Sequence, residues 1–147
     1  MKELLYLKDD QIKDFIQLLF YAYRETFSDP KAILTENSFG LAHLRAINLI
    51  ERNPGTNLGD LMYQLKITKQ SLNRVLRDLL RLKMIKQIKD GEDARRKNLF
   101  LDKEGKKIFD KIYEVQKKRI INALKNSEPE SVIKFKEVLN KIINGKN

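Results

Sequence analysis

The chain contains no cysteine in 147 residues and only one histidine, His43. Without thiols it has no disulfide, no thiolate zinc site, no cysteine nucleophile and no thiol redox sensor, and a lone imidazole is too little for a transition-metal site. His43 falls within a helical run and is assigned no chemistry. Long apolar runs are missing too. No stretch reaches the roughly 18 apolar residues of a membrane span, and the N-terminus MKELLYLKDDQIKDF carries acids where a signal peptide has an unbroken apolar core. A cytoplasmic protein without a membrane partner is expected. Catalytic signatures are equally scarce: there is no Gly-rich phosphate loop, no HExxH and no Ser nucleophile with a neighbouring His. The sequence therefore predicts neither an enzyme nor a metal or cofactor site.

Acids are also in deficit, with 20 Asp and Glu against 30 Lys and Arg, for a net charge of +10. Such an excess favours a polyanionic partner, either nucleic acid or an acidic membrane surface. The excess is concentrated. Residues 66–97 hold eleven basic residues and four acids, a net +7, and the other 115 residues share +3. With 41% hydrophobic residues, the length fits one globular domain.

Along the chain the dominant period is helical. Between Asp10 and about Phe27 the apolar positions Ile12, Phe15, Ile16, Leu19, Ala22, Tyr23 and Phe27 follow the three-and-four spacing of an amphipathic helix, and Leu18, Phe20 and Tyr21 widen its apolar face. Ser28 to Pro30 breaks it, and the segment up to Gly40 reads as turn-rich. A second run, Leu41 to Ile50, is closed by the turn at Asn53–Gly55. LGDLMYQLKIT supplies a short helix through Leu58, Leu61, Met62 and Leu65. A polar break at 66–68 follows, and Thr68 is a good N-cap for the next helix. On that helix Leu72, Val75, Leu76 and Leu79 form a buried stripe, with Gln70, Asn73, Arg74, Arg77 and Arg81 opposite. Two short helices joined by a tight turn are a helix-turn-helix.

Past Leu82 the period changes. Ile85–Lys89 and Asn98–Leu101 read as strands around turn residues at 90–93, and a helix-turn-helix followed by such a hairpin is a winged helix. Asp102 then opens a helix to about Lys125. Residues 127–130 interrupt it, and Ser131–Ile143 forms a last helix. The fold expected is mostly α with a small β-wing: one domain over 1–147, its winged helix at about 41–102, flanked by helices at about 8–28 and 103–144. The broad apolar faces of those flanking helices call for a partner, and the simplest is a second copy of the chain.

The residue types on the outer face of the second helix suit double-stranded DNA. Arg and Asn or Gln make bidentate bonds to guanine and adenine edges, and recognition helices lead with their N-terminal residues. Gln70, Asn73 and Arg74 are thus candidate base readers, while Arg77 and Arg81 suit phosphates. Thr68, Lys69 and Ser71 are further candidates for phosphate near the helix N-terminus.

The hairpin GEDARRKNLFLDKEG resembles the wing signature of MarR-type regulators: an acid, any residue and Arg, a strand ending in Leu, a helix-opening residue and Gly three positions later. Here these are Asp93, Ala94, Arg95, Leu101, Asp102 and Gly105. LGDLMYQLKITKQSLNRVLRDLLRLKMI is similar to the family's helix-turn-helix, so the likeness covers nearly the whole chain. It implies a homodimer with intertwined terminal helices, set on a near-palindromic operator as a transcription regulator, with repression the default. It also implies that Arg95 enters the minor groove while Asp93 fixes the loop. Arg96, one of the basic residues of the hairpin, is a further DNA-binding candidate. Some members bind aromatic acids or similar small molecules between the dimerisation helices and the winged helix, and a small aromatic or carboxylate effector is expected here. Here the effector-binding residues are unassigned, and Tyr23 and Phe27 are read as core.

Two positions depart from the pattern. Asp102 replaces the usual Thr, but both are N-caps. Lys83 stands where the family often has Gly, which would cost about 1 kcal/mol if the backbone there is left-handed. The competing expectation is a winged-helix module for protein or RNA, or a non-specific DNA binder; weak, sequence-independent binding would favour it.

Overall fold

The structure, a computed structural model, describes residues 4–145. The domain expected from the sequence also takes in residues 1–3 and 146–147, which lie outside the described residues. After a short 3-10 turn at Leu5–Leu7 the elements are α1 (Asp9–Ser28), α2 (Lys31–Glu36), α3 (Leu41–Arg52), α4 (Leu58–Leu65), α5 (Lys69–Arg81), β1 (Ile85–Lys89), β2 (Lys97–Leu101), α6 (Lys103–Lys125) and α7 (Pro129–Asn144). This is the mostly α fold with a small β-wing that the periodicity predicts. It comprises two compact units, one spanning residues 27–113 and one built from both ends of the chain.

The unit of residues 27–113 owns the hydrophobic core. Leu44, Ile47 and Ile50 of α3, Leu61 of α4, Leu72 and Leu79 of α5, Leu99 of β2 and Ile112 of α6 are sealed from solvent. Each such side chain contributes about 1.5–3 kcal/mol by leaving water, before the entropy of ordering it. The three-and-four spacing on α3 and α5 gathers those residues onto one face of each helix. β1 and β2 pair antiparallel with Ile85 opposite Leu101 and Lys89 opposite Lys97. A single bridge between Thr56 and Leu99 ties the approach to α4 to the hairpin.

The expected turn-rich stretch before Gly40 is instead partly helical. α2 runs for six residues, buries Leu34 and has Pro30 as its N-cap. It ends with Ser38 at φ +57°. The Ser38 N–H donates to the Thr35 carbonyl at 3.0 Å and the Phe39 N–H to the Leu34 carbonyl at 2.8 Å. That is a Schellman ending, which buries Phe39 with Leu34. So short a helix shows no apolar period in sequence.

α5 ends in the same way. Lys83 takes φ +57°, its N–H donating to Leu80 at 3.0 Å and that of Met84 to Leu79 at 2.8 Å. Lys83 thus occupies the left-handed position that favours glycine. The Met84 carbonyl next accepts the N–H of Asp102 at 2.8 Å, and α6 begins against this same peptide. A Cβ on Gly105 would stand 1.9 Å from the Met84 oxygen. Only glycine lets α6 lie on the backbone leaving α5, so the wing and the helix before it are held at one junction.

In the terminal unit the Gln116 side chain donates to the Thr26 carbonyl at 3.1 Å, joining α1 to the later part of α6. No residue of α1 or α7 is buried. Ile16 and Phe20 on α1 and Ile133 on α7 are 62%, 57% and 59% exposed. The expected interruption at 127–130 is narrower than the sequence suggests. Pro129 is the first residue of α7 rather than part of a break, because a first-turn residue has no intrahelical acceptor for its N–H to miss. No helix among the described residues is long and apolar enough to cross a membrane.

Candidate nucleic-acid interface

α4 starts at Asn57, whose side-chain oxygen accepts the N–H of Asp60 at 2.9 Å. It stops at Lys66, which turns left-handed at φ +51°. Two residues later Thr68 accepts the Ser71 N–H at 3.1 Å, the expected N-cap, and its hydroxyl lies 3.0 Å from the Ser71 hydroxyl. That local bond occupies part of the hydrogen-bonding capacity for which both residues were singled out. On α5, Leu72, Val75, Leu76 and Leu79 are buried. Lys69, Gln70, Ser71, Asn73, Arg74, Arg77 and Arg81 are exposed.

The hairpin tip is pinned by its acids. The Asp93 carboxylate accepts the N–H of Arg95 at 2.9 Å, and the Asp93 carbonyl accepts that of Arg96 at 3.0 Å. Asp90 does the same for the Glu92 N–H at 3.0 Å, while its own N–H reaches the Arg96 carbonyl at 2.9 Å. These side-chain turns take up backbone donors at the tip. Asp93 therefore shapes the loop that carries Arg95, and both Arg95 and Arg96 stand exposed.

Between α5 and the hairpin runs an open groove of about 1110 Å³. Arg77 and Arg81 line it from the helix, and Arg95, Arg96 and Lys97 from the wing. Asn57, Asn73 and Gln87 add amides, and Asp60 is an acid on its wall. Of the expected residues, then, Asn73, Arg77, Arg81, Arg95 and Arg96 come together in one groove. Thr68, Lys69, Gln70, Ser71 and Arg74 lie outside it on the N-terminal half of α5, and Asp93 outside it at the tip.

Gln87 and Lys97 were missed by sequence reasoning. Their signal is strand parity: Gln87 pairs with Leu99, two residues from Lys97, so both share the face of the buried Leu99. His43 was missed as well. Its Nε2 lies 2.9 Å from an Asp78 carboxylate oxygen, and this hydrogen bond is the largest influence holding the Asp78 carboxyl below its ordinary range, against a smaller opposing effect of burial. Nearby Arg81 and Arg77 lower it further. Among the described residues no group of His, Asp and Glu is arranged to hold a metal ion.

The chain is 38% identical over 136 residues to PetP, an HTH-type transcriptional regulator of Rhodobacter capsulatus, an alignment covering 92% of this chain and 82% of that protein. The chain belongs to the MarR family. The MarR family model matches residues 38–96, which span α3 to the hairpin tip and so contain most of the groove. The MarR fold is evident in solved structures too. FabT of Streptococcus pneumoniae in complex with DNA superposes with a TM-score of 0.74 at 15% identity, over 93% of this chain and 96% of that one. NadR in complex with 4-hydroxyphenylacetate gives 0.74 at 23% identity, over 97% of each chain. MarR proteins are transcriptional regulators rather than enzymes, and this chain is accordingly a regulator of the winged helix-turn-helix type.

Proposed function

We propose that this MarR protein is a cytoplasmic repressor that binds a near-palindromic operator as a homodimer, the whole chain acting as one module. The observation that carries the reading is the groove in which two arginines of α5 meet three basic residues of the wing. α5 enters the major groove, where Gln70, Asn73 and Arg74 read base edges, assisted by Thr68, Lys69 and Ser71 at phosphates near the helix start. Arg77, Arg81, Arg96 and Lys97 hold the sugar-phosphate strand between helix and wing. Arg95, on a tip shaped by Asp93, enters the adjacent minor groove, whose narrow form concentrates negative potential. The exposed apolar faces of α1 and α7 cover one another between two copies, which sets the spacing of the two readers.

Release by a small aromatic or carboxylate effector is part of the proposal. Its support is the likeness of fold to NadR, which was solved with 4-hydroxyphenylacetate. Thermal shifts against phenolic carboxylates test it, and no response across the panel argues for control by abundance alone.

The direct test of the wing is Arg95→Ala. Binding to the target duplex falls by at least about tenfold, equivalent to roughly 1.4 kcal/mol, while the unfolding midpoint stays within the range of a surface change. A variant that binds as tightly as wild type at moderate salt removes Arg95 from the interface.

A further inference from the structure

His43 sits three residues inside the start of α3. Its Nδ1 accepts the N–H of Gly40 at 3.0 Å, so the proton of the neutral ring is on Nε2. That nitrogen donates to Oδ2 of Asp78 on α5 at 2.9 Å. The ring is largely buried and stacks on Phe39, with centroids 4.9 Å apart and planes 27° apart. Asp78 is the only acid on α5, and its second oxygen, Oδ1, lies 3.8 Å from a terminal nitrogen of Arg81. A continuous path therefore runs from the backbone before α3, through His43 and Asp78, to an arginine of the groove.

An acid on a helix that meets phosphate repels its target, so its presence on this face calls for a compensating role. An exposed Asp–Arg pair one helical turn apart orders little by itself, since both side chains lose freedom to hold it. Here the carboxylate is already pinned from the other side by a buried donor, so much of that ordering cost falls on the fold rather than on the pair. The Arg81 guanidinium then has a fixed counter-charge 3.8 Å away before any ligand arrives, which reduces what binding must spend on ordering it.

We propose that His43 is a positioning residue for nucleic-acid binding, which acts through Asp78 to hold Arg81 at the groove. This rests on the reading of that groove as a DNA interface. The two nitrogens of His43 can be separated by substitution. His43→Asn keeps an acceptor for the Gly40 N–H but is too short to reach Asp78, and His43→Gln restores a donor at the distance of Nε2.

The test measures affinity for a duplex selected from genomic DNA, with and without Arg81→Ala, and the 15N relaxation of the Arg81 Nε–H in the free protein, on variants whose cooperative unfolding confirms the fold. His43→Asn weakens binding about fivefold, and His43→Gln restores it to within about twofold of wild type. Neither changes binding further once Arg81 is Ala. In the free protein the order of the Arg81 Nε–H falls in His43→Asn and returns in His43→Gln. Equal losses with and without Arg81, or His43→Asn binding as wild type with unchanged Arg81 order, overturn the proposal. Should the wild-type protein prefer no duplex, it is the reading of the groove that fails, and the Arg81 relaxation alone then decides whether His43 positions that side chain.

Discussion

Gly105 and Lys83 bear on the same peptide, that of Met84, and fit it unequally. Gly105→Ala drives a methyl to within 1.9 Å of the Met84 oxygen, a backbone atom that cannot rotate aside. Its expected cost is at least about 2 kcal/mol, among the larger effects of a single substitution, read as a drop in the urea midpoint. Lys83 is in the left-handed region at φ +57°, so Lys83→Gly raises stability by about 1 kcal/mol in the same measurement. A third test concerns pH. Asp78 has a lowered folded pKa, so its contribution is fully present above the ordinary carboxylate value of about 3.9 and disappears as pH falls through the lower folded value. The difference in urea midpoint between wild type and Asp78→Asn thus shrinks as pH falls below about 4. A difference that widens as pH falls below about 4 contradicts the assignment.

The elements that the sequence made legible are those whose signal is local. The stripe Leu72, Val75, Leu76 and Leu79, the Thr68 cap and the turn residues at 90–93 each declare themselves within a few positions, and α5 and the hairpin follow. Thr68→Ala accordingly destabilises by about 1 kcal/mol through loss of the cap on Ser71, with the urea midpoint as the measure. What was not legible depends on distance or register. α2 is shorter than two helical turns, and its apolar positions Ala32, Ile33 and Leu34 are consecutive, so they display no period. His43 gains its role from Asp78, 35 residues away. Gln87 and Lys97 join the groove only because β1 and β2 pair with Gln87 opposite Leu99, and a slip of one residue would put them on opposite faces.

At the scale of the whole molecule, charge and apolar surface are divided between the two units. The groove and its basic residues belong to residues 27–113, where the core is. The terminal unit leaves the apolar faces of α1 and α7 uncovered among the described residues. That division is what a dimeric reader of DNA requires, and sedimentation at micromolar concentration should give a mass of two chains. Because many Lys and Arg displace counterions, affinity for the target falls steeply as salt rises. The most direct test of the central claim is selection of bound fragments from genomic DNA, followed by titration of the recovered site and a scrambled version at one fixed salt concentration. One inverted repeat with half-site centres about one helical turn apart is expected, bound at least about 10³-fold more tightly than the scrambled duplex. Fragments that share no repeat, or equal affinity for both duplexes, would contradict that claim.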